Sequence, residues 1–182
     1  MSTQQPVVAV FGASAASPGD SDYEAGFRCG RLLAEAGFRV ATGGYGGLME
    51  AVSHGAAAAG GHVIGVTAPG VFPSRPAANA YVLEERIAPS LTERIHDLVD
   101  TSAAVIALPG SLGTATELMV AWNLAFVAQF SGATAVPVVT VGPRWRRVVG
   151  ILANELDTDG SLVTCVDSVE EAAATVIQRL RP

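Results

Sequence analysis

The sequence of 182 residues is 49% hydrophobic and 15% charged, which excludes a disordered chain and suits a single domain spanning 1–182. Its net charge of −6 argues against a broad nucleic-acid surface, although backbone N–H groups can hold a small phosphate without any positive net charge. All eleven basic residues are arginines. This excludes pyridoxal-phosphate enzymes and P-loop nucleotide hydrolases, because each class needs a lysine.

The amino-terminal part alternates apolar runs with helical patterns. Residues 7–11 are continuously apolar, which predicts a strand that is buried on both faces. A loop of small residues follows over 12–19, and a helix is predicted over 22–36 with Ser21 or Asp22 as its N-cap. The pattern then predicts a strand over 39–42, a helix over 49–59, a strand over 62–67, a loop or lid over 68–79 and a short strand over 81–84.

The carboxyl-terminal part continues this alternation. A helix is predicted over 91–101, capped by Ser90 in preference to Thr92. An apolar strand over 103–108 precedes a long helix that extends to about residue 130. Pro137 indicates either the start of the next strand or an exposed sheet edge. The remaining predicted elements are a strand over 136–141, a helix over 145–154, a strand over 162–166 and a helix over 168–181.

Six or seven strands that alternate with helices predict an α/β fold, namely a Rossmann-like, doubly wound and mostly parallel sheet flanked by helices. In such a sheet the strand-to-helix loops open at one edge, so the small-residue loops at 12–19, 43–47 and 109–114 are expected to converge. Glycine lets the main chain approach a ligand, and the first amides of a helix lack partners. We therefore predict a pocket for a nucleotide or sugar phosphate. After the first strand, only Gly12 matches the Gly-x-Gly-x-x-Gly motif of dinucleotide-binding proteins. This disfavours a standard dinucleotide oxidoreductase.

Two charged residues accompany these loops, and each has two interpretations. Thr114 and Glu117 have the spacing of a capping box, in which the carboxylate folds back on the helix start; alternatively, Glu117 faces a substrate. Arg94 could pair with Asp97 on the helix surface. Alternatively, the helix descends roughly 10 Å from Arg94 and the next strand climbs roughly 16 Å, which places Arg94 near the carboxyl edge of the sheet. A cation and a carboxylate beside a phosphate pocket suit the cleavage of a ribosyl bond.

The motif after the central strand resembles that of a known family. Residues 109–117 read Pro-Gly-Ser-Leu-Gly-Thr-Ala-Thr-Glu, which is similar to the Pro-Gly-Gly-x-Gly-Thr-x-x-Glu pattern of the Lonely Guy (LOG) phosphoribohydrolases that activate cytokinins. Members of this family are often labelled lysine decarboxylases. Ser111 replaces the second glycine of the pattern. The segments 11–14 and 43–49 resemble the family's first two loops, and the likeness spans about residues 7–130.

The resemblance implies roles for individual residues. Glu93 and Arg94 match the family's Glu-Arg-Lys stretch, with Ile95 in place of the lysine. Arg94 and Glu117 would then be catalytic: Glu117 stabilises a positive, oxocarbenium-like sugar or activates water, and Arg94 holds the substrate and helps the base leave. The implied phosphate- and ribose-binding residues are Gly12, Ser14, Gly43, Gly44, Gly46, Gly47, Met49, Pro109, Gly110, Ser111, Gly113 and Thr114.

Two functions remain open. The first is hydrolysis of the N-glycosidic bond of a nucleoside 5′-monophosphate, which gives ribose 5-phosphate and a free base of adenine or cytokinin type. It is favoured because Arg94 and Glu117 are both in register. The alternative is a non-catalytic carrier, because residues 44–52 are also very similar to molybdenum-cofactor carrier proteins, which bind a pterin nucleotide-like cofactor without hydrolysing it. Ser111 and Ile95 favour this alternative.

The sequence also leads to expectations about cofactors and partners. The three histidines and two cysteines have no metal-ligand spacing, so we expect no metal and no resident cofactor. Neither a signal segment nor an apolar run long enough for a membrane span is present, so we expect a cytoplasmic protein with no membrane or nucleic-acid partner. The resemblance implies a homodimer, and the long helix over 117–130 is apolar nearly all round, as a buried helix or a subunit contact would be.

Overall fold

Seven strands form one sheet in the computed structural model, which describes residues 5–75 and 77–180. The strands are β1 (Val7–Phe11), β2 (Arg39–Thr42), β3 (Val63–Thr67), β4 (Glu84–Ile87), β5 (Ala104–Ala107), β6 (Val138–Val141) and β7 (Val163–Val166). Their order is β4-β3-β2-β1-β5-β6-β7, and all neighbouring pairs are parallel. The predicted α/β, Rossmann-like doubly wound fold is confirmed.

Six α-helices in the described residues cover the two faces of this sheet. They are α1 (Ser21–Glu35), α2 (Leu48–Ala58), α3 (Leu91–Asp100), α4 (Leu112–Ser131), α5 (Pro143–Glu155) and α6 (Val169–Leu180). Alternate residues of β1 point to opposite faces, so Val8 and Val10 pack with α1, α2 and α6, whereas Ala9 and Phe11 pack with α3, α4 and α5. Within residues 5–75 and 77–180, no helix combines the length and the hydropathy that crossing a membrane requires.

The short strand predicted over 81–84 is wrong by about three positions, because the strand is Glu84–Ile87. The prediction followed an apolar run. However, β4 lies at the sheet edge and pairs only with β3, so its residues can be polar. Val82 packs against the core instead, and Leu83 is 72% exposed. The polar residue that opens β4 is partnered, since Arg39 Nη2 donates to Glu84 Oε2 at 2.6 Å.

Two local assignments also differ from the sequence prediction. The N-cap of α1 is Asp20 rather than Ser21 or Asp22, and its Oδ2 accepts a hydrogen bond from the backbone of Ser17 at 2.8 Å, which closes the preceding turn. Pro137 lies one residue before β6, so it marks a strand start and not a sheet edge, because β6 lies between β5 and β7. The helix predicted over 168–181 is α6, and Arg181 lies outside the described residues.

The strand order creates a crevice in the middle of the sheet. From β1 the chain moves outward through β2 and β3 to β4, and from β5 it moves outward in the opposite direction to β7. The loops after β1 and β5 therefore leave neighbouring strands for opposite faces, one toward α1 and the other toward α4. Open α/β sheets bind ligands at this switch point, outside the carboxyl ends of the strands.

Candidate functional site

Backbone hydrogen bonds join the loops that follow β1, β2 and β5. The amide of Ala13 donates to the carbonyl of Pro109 at 3.1 Å, and the amide of Leu48 donates to the carbonyl of Ala13 at 2.8 Å. The three small-residue loops therefore meet at one place, although they are far apart in the sequence.

Glycines make this close meeting feasible. Gly47 has φ of +76°, and a Cβ there would overlap the backbone of Ser14. A Cβ at Gly43 would overlap the guanidinium of Arg94, and one at Gly12 would lie 2.7 Å from Leu48 Cβ. The loops are thus packed backbone against backbone or against single side chains, which a residue larger than glycine would prevent.

The predicted site residues fall into two groups around a cavity of about 240 Å³. One group lines the cavity and consists of Gly12, Ser14, Met49, Arg94, Ser111, Gly113, Thr114 and Glu117. The other group shapes the surrounding loops without lining this cavity and consists of Gly43, Gly44, Gly46, Gly47, Pro109 and Gly110, of which Gly46 lines an adjoining recess.

Arg94 is 6% exposed and reaches the cavity from α3. Its Nε donates to the carbonyl of Val66 at 2.8 Å, and its Nη2 donates to the carbonyl of Gly43 at 3.1 Å. Its Nη1 donates to Glu117 Oε1 at 3.3 Å. The alternative pairing with Asp97 is therefore wrong, because the carboxylate of Asp97 is paired with Arg86.

Glu117 belongs to the cavity and not to a helix cap. The N-cap of α4 is Ser111, so Thr114 is the third residue of the helix and cannot form the capping box with Glu117. Glu117 is 8% exposed, and this burial raises its pKa to about 7 although the positive charge of Arg94 acts in the opposite direction. Burial lowers the pKa of Arg94, while the charge of Glu117 raises it. The pair is a guanidinium beside a carboxyl group that titrates near neutral pH.

The amino terminus of α4 faces the same cavity. The backbone groups of residues 112–114 form the first turn of a helix of 20 residues, and no side chain caps them at Ser111. Such amides lack intrahelical partners and attract anions. A Cβ at Gly113 would meet no atom within 4 Å, so the space beside this turn is open. The arrangement can accept a phosphate above the Arg94–Glu117 pair.

Three residues of the cavity wall were not predicted as site residues, namely Tyr45, Phe72 and Arg75. The rings of Tyr45 and Phe72 meet edge to face with centroids 5.8 Å apart, and the hydroxyl of Tyr45 accepts a hydrogen bond from the amide of Ala68 at 2.8 Å. Phe72 and Arg75 lie in the loop that was predicted as a lid over 68–79. An aromatic residue among four glycines and an aromatic and a cation in that lid were the available signals.

No metal site accompanies this cavity in the described part of the chain. Among those residues, no three His, Cys, Asp or Glu side chains are grouped so that they could hold an ion. Cys29 is buried between α1 and the sheet, where burial raises its thiol pKa to about 12.

Comparisons with known proteins place this chain in a family. A model described as the SLOG cluster4 family matches residues 5–128. A cytokinin riboside 5′-monophosphate phosphoribohydrolase from Mycobacterium tuberculosis is 33% identical over 148 residues, covering 80% of this chain and 75% of that protein. The rice (Oryza sativa subsp. japonica) enzyme LOG, with the same description, is 35% identical over 113 residues. That match covers 62% of this chain and 46% of the rice protein, so the matched region spans about half the length of the latter.

Solved structures agree on the fold. The molybdenum cofactor binding protein of Rippkaea orientalis superposes with a TM-score of 0.78 at 24% identity, covering 99% of this chain and 100% of that chain. The molybdenum cofactor carrier protein of Chlamydomonas reinhardtii has a TM-score of 0.75 at 23% identity, with 96% and 98% covered. At this identity the likeness shows the fold alone. From the family match and its relatives, the chain belongs to the SLOG cluster4 family and is related to the LOG phosphoribohydrolases.

Proposed function

We propose that the protein hydrolyses the N-glycosidic bond of a nucleoside 5′-monophosphate with a base of adenine or cytokinin type. The buried Arg94–Glu117 pair, which faces the same cavity as the amino terminus of α4, is the observation that carries this proposal. The relatives described as cytokinin riboside 5′-monophosphate phosphoribohydrolases support the choice of substrate class.

The phosphate of the substrate is assigned to the first turn of α4. The amides of residues 112–114 and the hydroxyls of Ser14 and Thr114 offer donors to its oxygens, and the helix dipole favours its negative charge. With the phosphate held there, the ribose lies deeper in the cavity, toward Glu117.

The reaction then needs stabilisation of a positive sugar. As the C1′–N bond lengthens, C1′ gains oxocarbenium character, and the carboxylate of Glu117 stabilises that charge and orients the attacking water. The oxygen of water bonds to C1′, and one of its protons leaves with the base. Arg94 keeps Glu117 in place and remains charged, because an arginine does not lose its proton in a protein.

The proposal is tested by free-base release from AMP and isopentenyl-AMP. We expect Glu117→Gln, which keeps the size of the side chain and a hydrogen bond to Arg94, to lower kcat by about 100-fold or more. Arg94→Ala should lower activity at least as much. The matched control is Asp97→Asn. Asp97 lies in α3, as Arg94 does, but its ion pair with Arg86 lies outside the cavity and has the same N–O distance of 3.3 Å as the Arg94–Glu117 pair. Equal activity in wild type and Glu117→Gln contradicts the proposal.

The alternative function is that of a molybdenum-cofactor carrier, and it has separate support and a separate test. Ser111 stands where the LOG pattern has glycine, and the two solved neighbours are described as molybdenum cofactor binding or carrier proteins. In this case the cofactor is cargo, its phosphate is held by the first turn of α4, and Glu117 only balances Arg94. A pterin or nucleotide that co-purifies with the protein, together with no base release from any nucleotide, would favour the carrier.

A further inference from the structure

A second arginine, Arg75, lines the same cavity as the buried pair. Arg75 lies in the loop between β3 and β4, and its Cζ is 5.7 Å from the ring centroids of both Tyr45 and Phe72. Its Nη2 donates to Ser14 Oγ at 3.4 Å. The side chain therefore lies across two aromatic rings at the mouth of the cavity, within reach of the loop that follows β1.

The loop that carries Arg75 is anchored to the glycine loop after β2. The backbone amide of Asn79 donates to the carbonyl of Gly44 at 2.7 Å, and its side-chain Nδ2 donates to the carbonyls of Gly44 and Tyr45 at 3.1 and 3.0 Å. On the other side of Arg75, the amide of Ala68 is bound to the Tyr45 hydroxyl. Ala68 and Asn79, on either side of Arg75, are thus hydrogen-bonded to the glycine loop after β2.

The two arginines that line the cavity differ in their partners. Arg94 is paired with Glu117, whereas none of the ion pairs found among the described residues includes Arg75. Burial, and to a smaller extent the like charge of Arg75, lowers the pKa of Arg94. Arg75 is therefore a cation at this cavity that no ion pair among the described residues neutralises, although the whole chain has a net charge of −6.

We propose that Arg75 selects phosphorylated ligands by binding the phosphate of a nucleoside monophosphate between itself, Ser14 and the first turn of α4. A guanidinium presents parallel N–H donors that match two phosphate oxygens. Its 3.4 Å contact with Ser14 is long, so it is easily exchanged for a charged partner. The identity of the ligand rests on the proposed function, whereas the selection between phosphorylated and unphosphorylated ligands does not require turnover.

Calorimetric titration with AMP and with adenosine tests this inference. The titrations use the Glu117→Gln protein, alone and combined with Arg75→Ala, Arg75→Lys or Arg144→Ala, so that AMP is not consumed. We expect Arg75→Ala to raise the Kd for AMP by about tenfold or more and the Kd for adenosine by less than about twofold. Arg75→Lys should recover part of the lost affinity, because it keeps the charge but not the two-pronged geometry.

Arg144→Ala is the matched control. Arg144 is also exposed, and its Nη1 donates to the carbonyl of Gly110 at 3.4 Å, so it touches the same phosphate loop from outside the cavity. We expect this variant to change the Kd for AMP by less than about twofold, because Arg144 does not line the cavity and physiological salt screens an exposed charge outside it. An equal loss in both arginine variants would mean a general electrostatic effect and would overturn the inference.

The other outcomes are equally decisive. Equal losses for AMP and adenosine in Arg75→Ala, no loss for either, or equal affinities of AMP and adenosine for the parent protein overturn the inference. If Glu117→Gln does not fold, the comparison is repeated by titrating the wild type and the single variants Arg75→Ala and Arg144→Ala with ribose 5-phosphate and with ribose, neither of which contains an N-glycosidic bond. A different result would contradict the proposed function: the protein would release no base from any nucleotide, while Arg75→Ala would still weaken AMP binding.

Discussion

At the scale of single residues, the site depends on two charged groups that are withdrawn from water. Removing either charge alone from solvent is expensive, and breaking such a pair leaves an uncompensated charge in the interior. Arg94 is also held by the carbonyls of Val66 and Gly43, so it remains in place while the protonation of Glu117 changes. Burial raises the pKa of Glu117 to about 7, against the opposing effect of the positive charge of Arg94.

This protonation predicts the pH dependence of base release. The pKa of Glu117 is raised to about 7 from the ordinary value of 4.5, and the proposed reaction needs the ionised form. We therefore expect kcat to increase with pH, with a midpoint near 7, and to level off above it. Initial rates from pH 5.5 to 8.5 measure this. Asp97→Asn should keep the profile, and a rate that does not change over that range would contradict the role of Glu117.

Gly43 offers a test of how tightly Arg94 is positioned. A Cβ at Gly43 would overlap the guanidinium, so Gly43→Ala should displace Arg94, abolish most activity and lower the free energy of unfolding by about 1–3 kcal/mol. Gly150→Ala is the control, because Gly150 lies in α5 with no atom within 4 Å of an added Cβ, and this change should stabilise the helix by about 0.5–1 kcal/mol. Chemical denaturation and base release measure both effects. Full activity in Gly43→Ala would contradict the conclusion that Arg94 must keep this position.

At the scale of elements, the start of α3 determines where Arg94 lies. Ser90 Oγ accepts a hydrogen bond from the amide of Glu93 and donates to Glu93 Oε2, so a side-chain N-cap fixes the start of the helix just before Arg94. The sequence predicted this cap, and the structure shows it at Ser90 and not at Thr92. The residue pairing that forms it is local, which is why sequence spacing was sufficient.

We expect Ser90→Ala to lower the free energy of unfolding by about 1 kcal/mol, because the backbone amide of Glu93 at the helix start loses its partner. Thr92→Ala, in the exposed first turn of the same helix, should be neutral or slightly stabilising since alanine has the higher helix propensity. Urea denaturation of both variants separates a cap from a general effect of removing a hydroxyl. Equal costs would contradict the assignment of Ser90.

At the scale of the whole molecule, α4 presents an apolar outer face. Its inner side packs on the sheet through Leu118 and Trp122, whereas Leu124, Val127 and Phe130 are exposed, the last by 76%. Large exposed apolar groups of this kind are typical of contact surfaces. A homodimer, which the sequence led us to expect, would cover this face.

We expect sedimentation at micromolar concentration to show a species of twice 18.6 kDa for the wild type. Phe130→Asp should shift the protein to the monomer, because it places a charge in the proposed contact. Leu83→Asp is the control, since Leu83 is similarly exposed but lies beside the edge strand β4. A monomeric wild type would reject the dimer.

The sequence by itself determined the alternation of strands and helices, the three glycine loops and the two charged residues of the site. These features were readable because each has a local cause: β1 and β5 are buried on both faces and must be apolar, and a parallel sheet sends every strand-to-helix loop to one edge. The LOG-like motif over 109–117 also lies within one short segment.

Only the tertiary structure decided which alternative each charged residue follows. Spacing allowed Glu117 to cap its helix and Arg94 to pair with Asp97, and nothing local excluded either arrangement. The two residues meet because α3 and α4 pack on the same face of the sheet and bring Arg94 and Glu117 together beside Val66 of β3. The position of β4 could not be predicted from the sequence, because an edge strand needs only one backbone neighbour. The place of Arg75 in the cavity wall could not be predicted either, because a loop side chain takes its partners from distant segments.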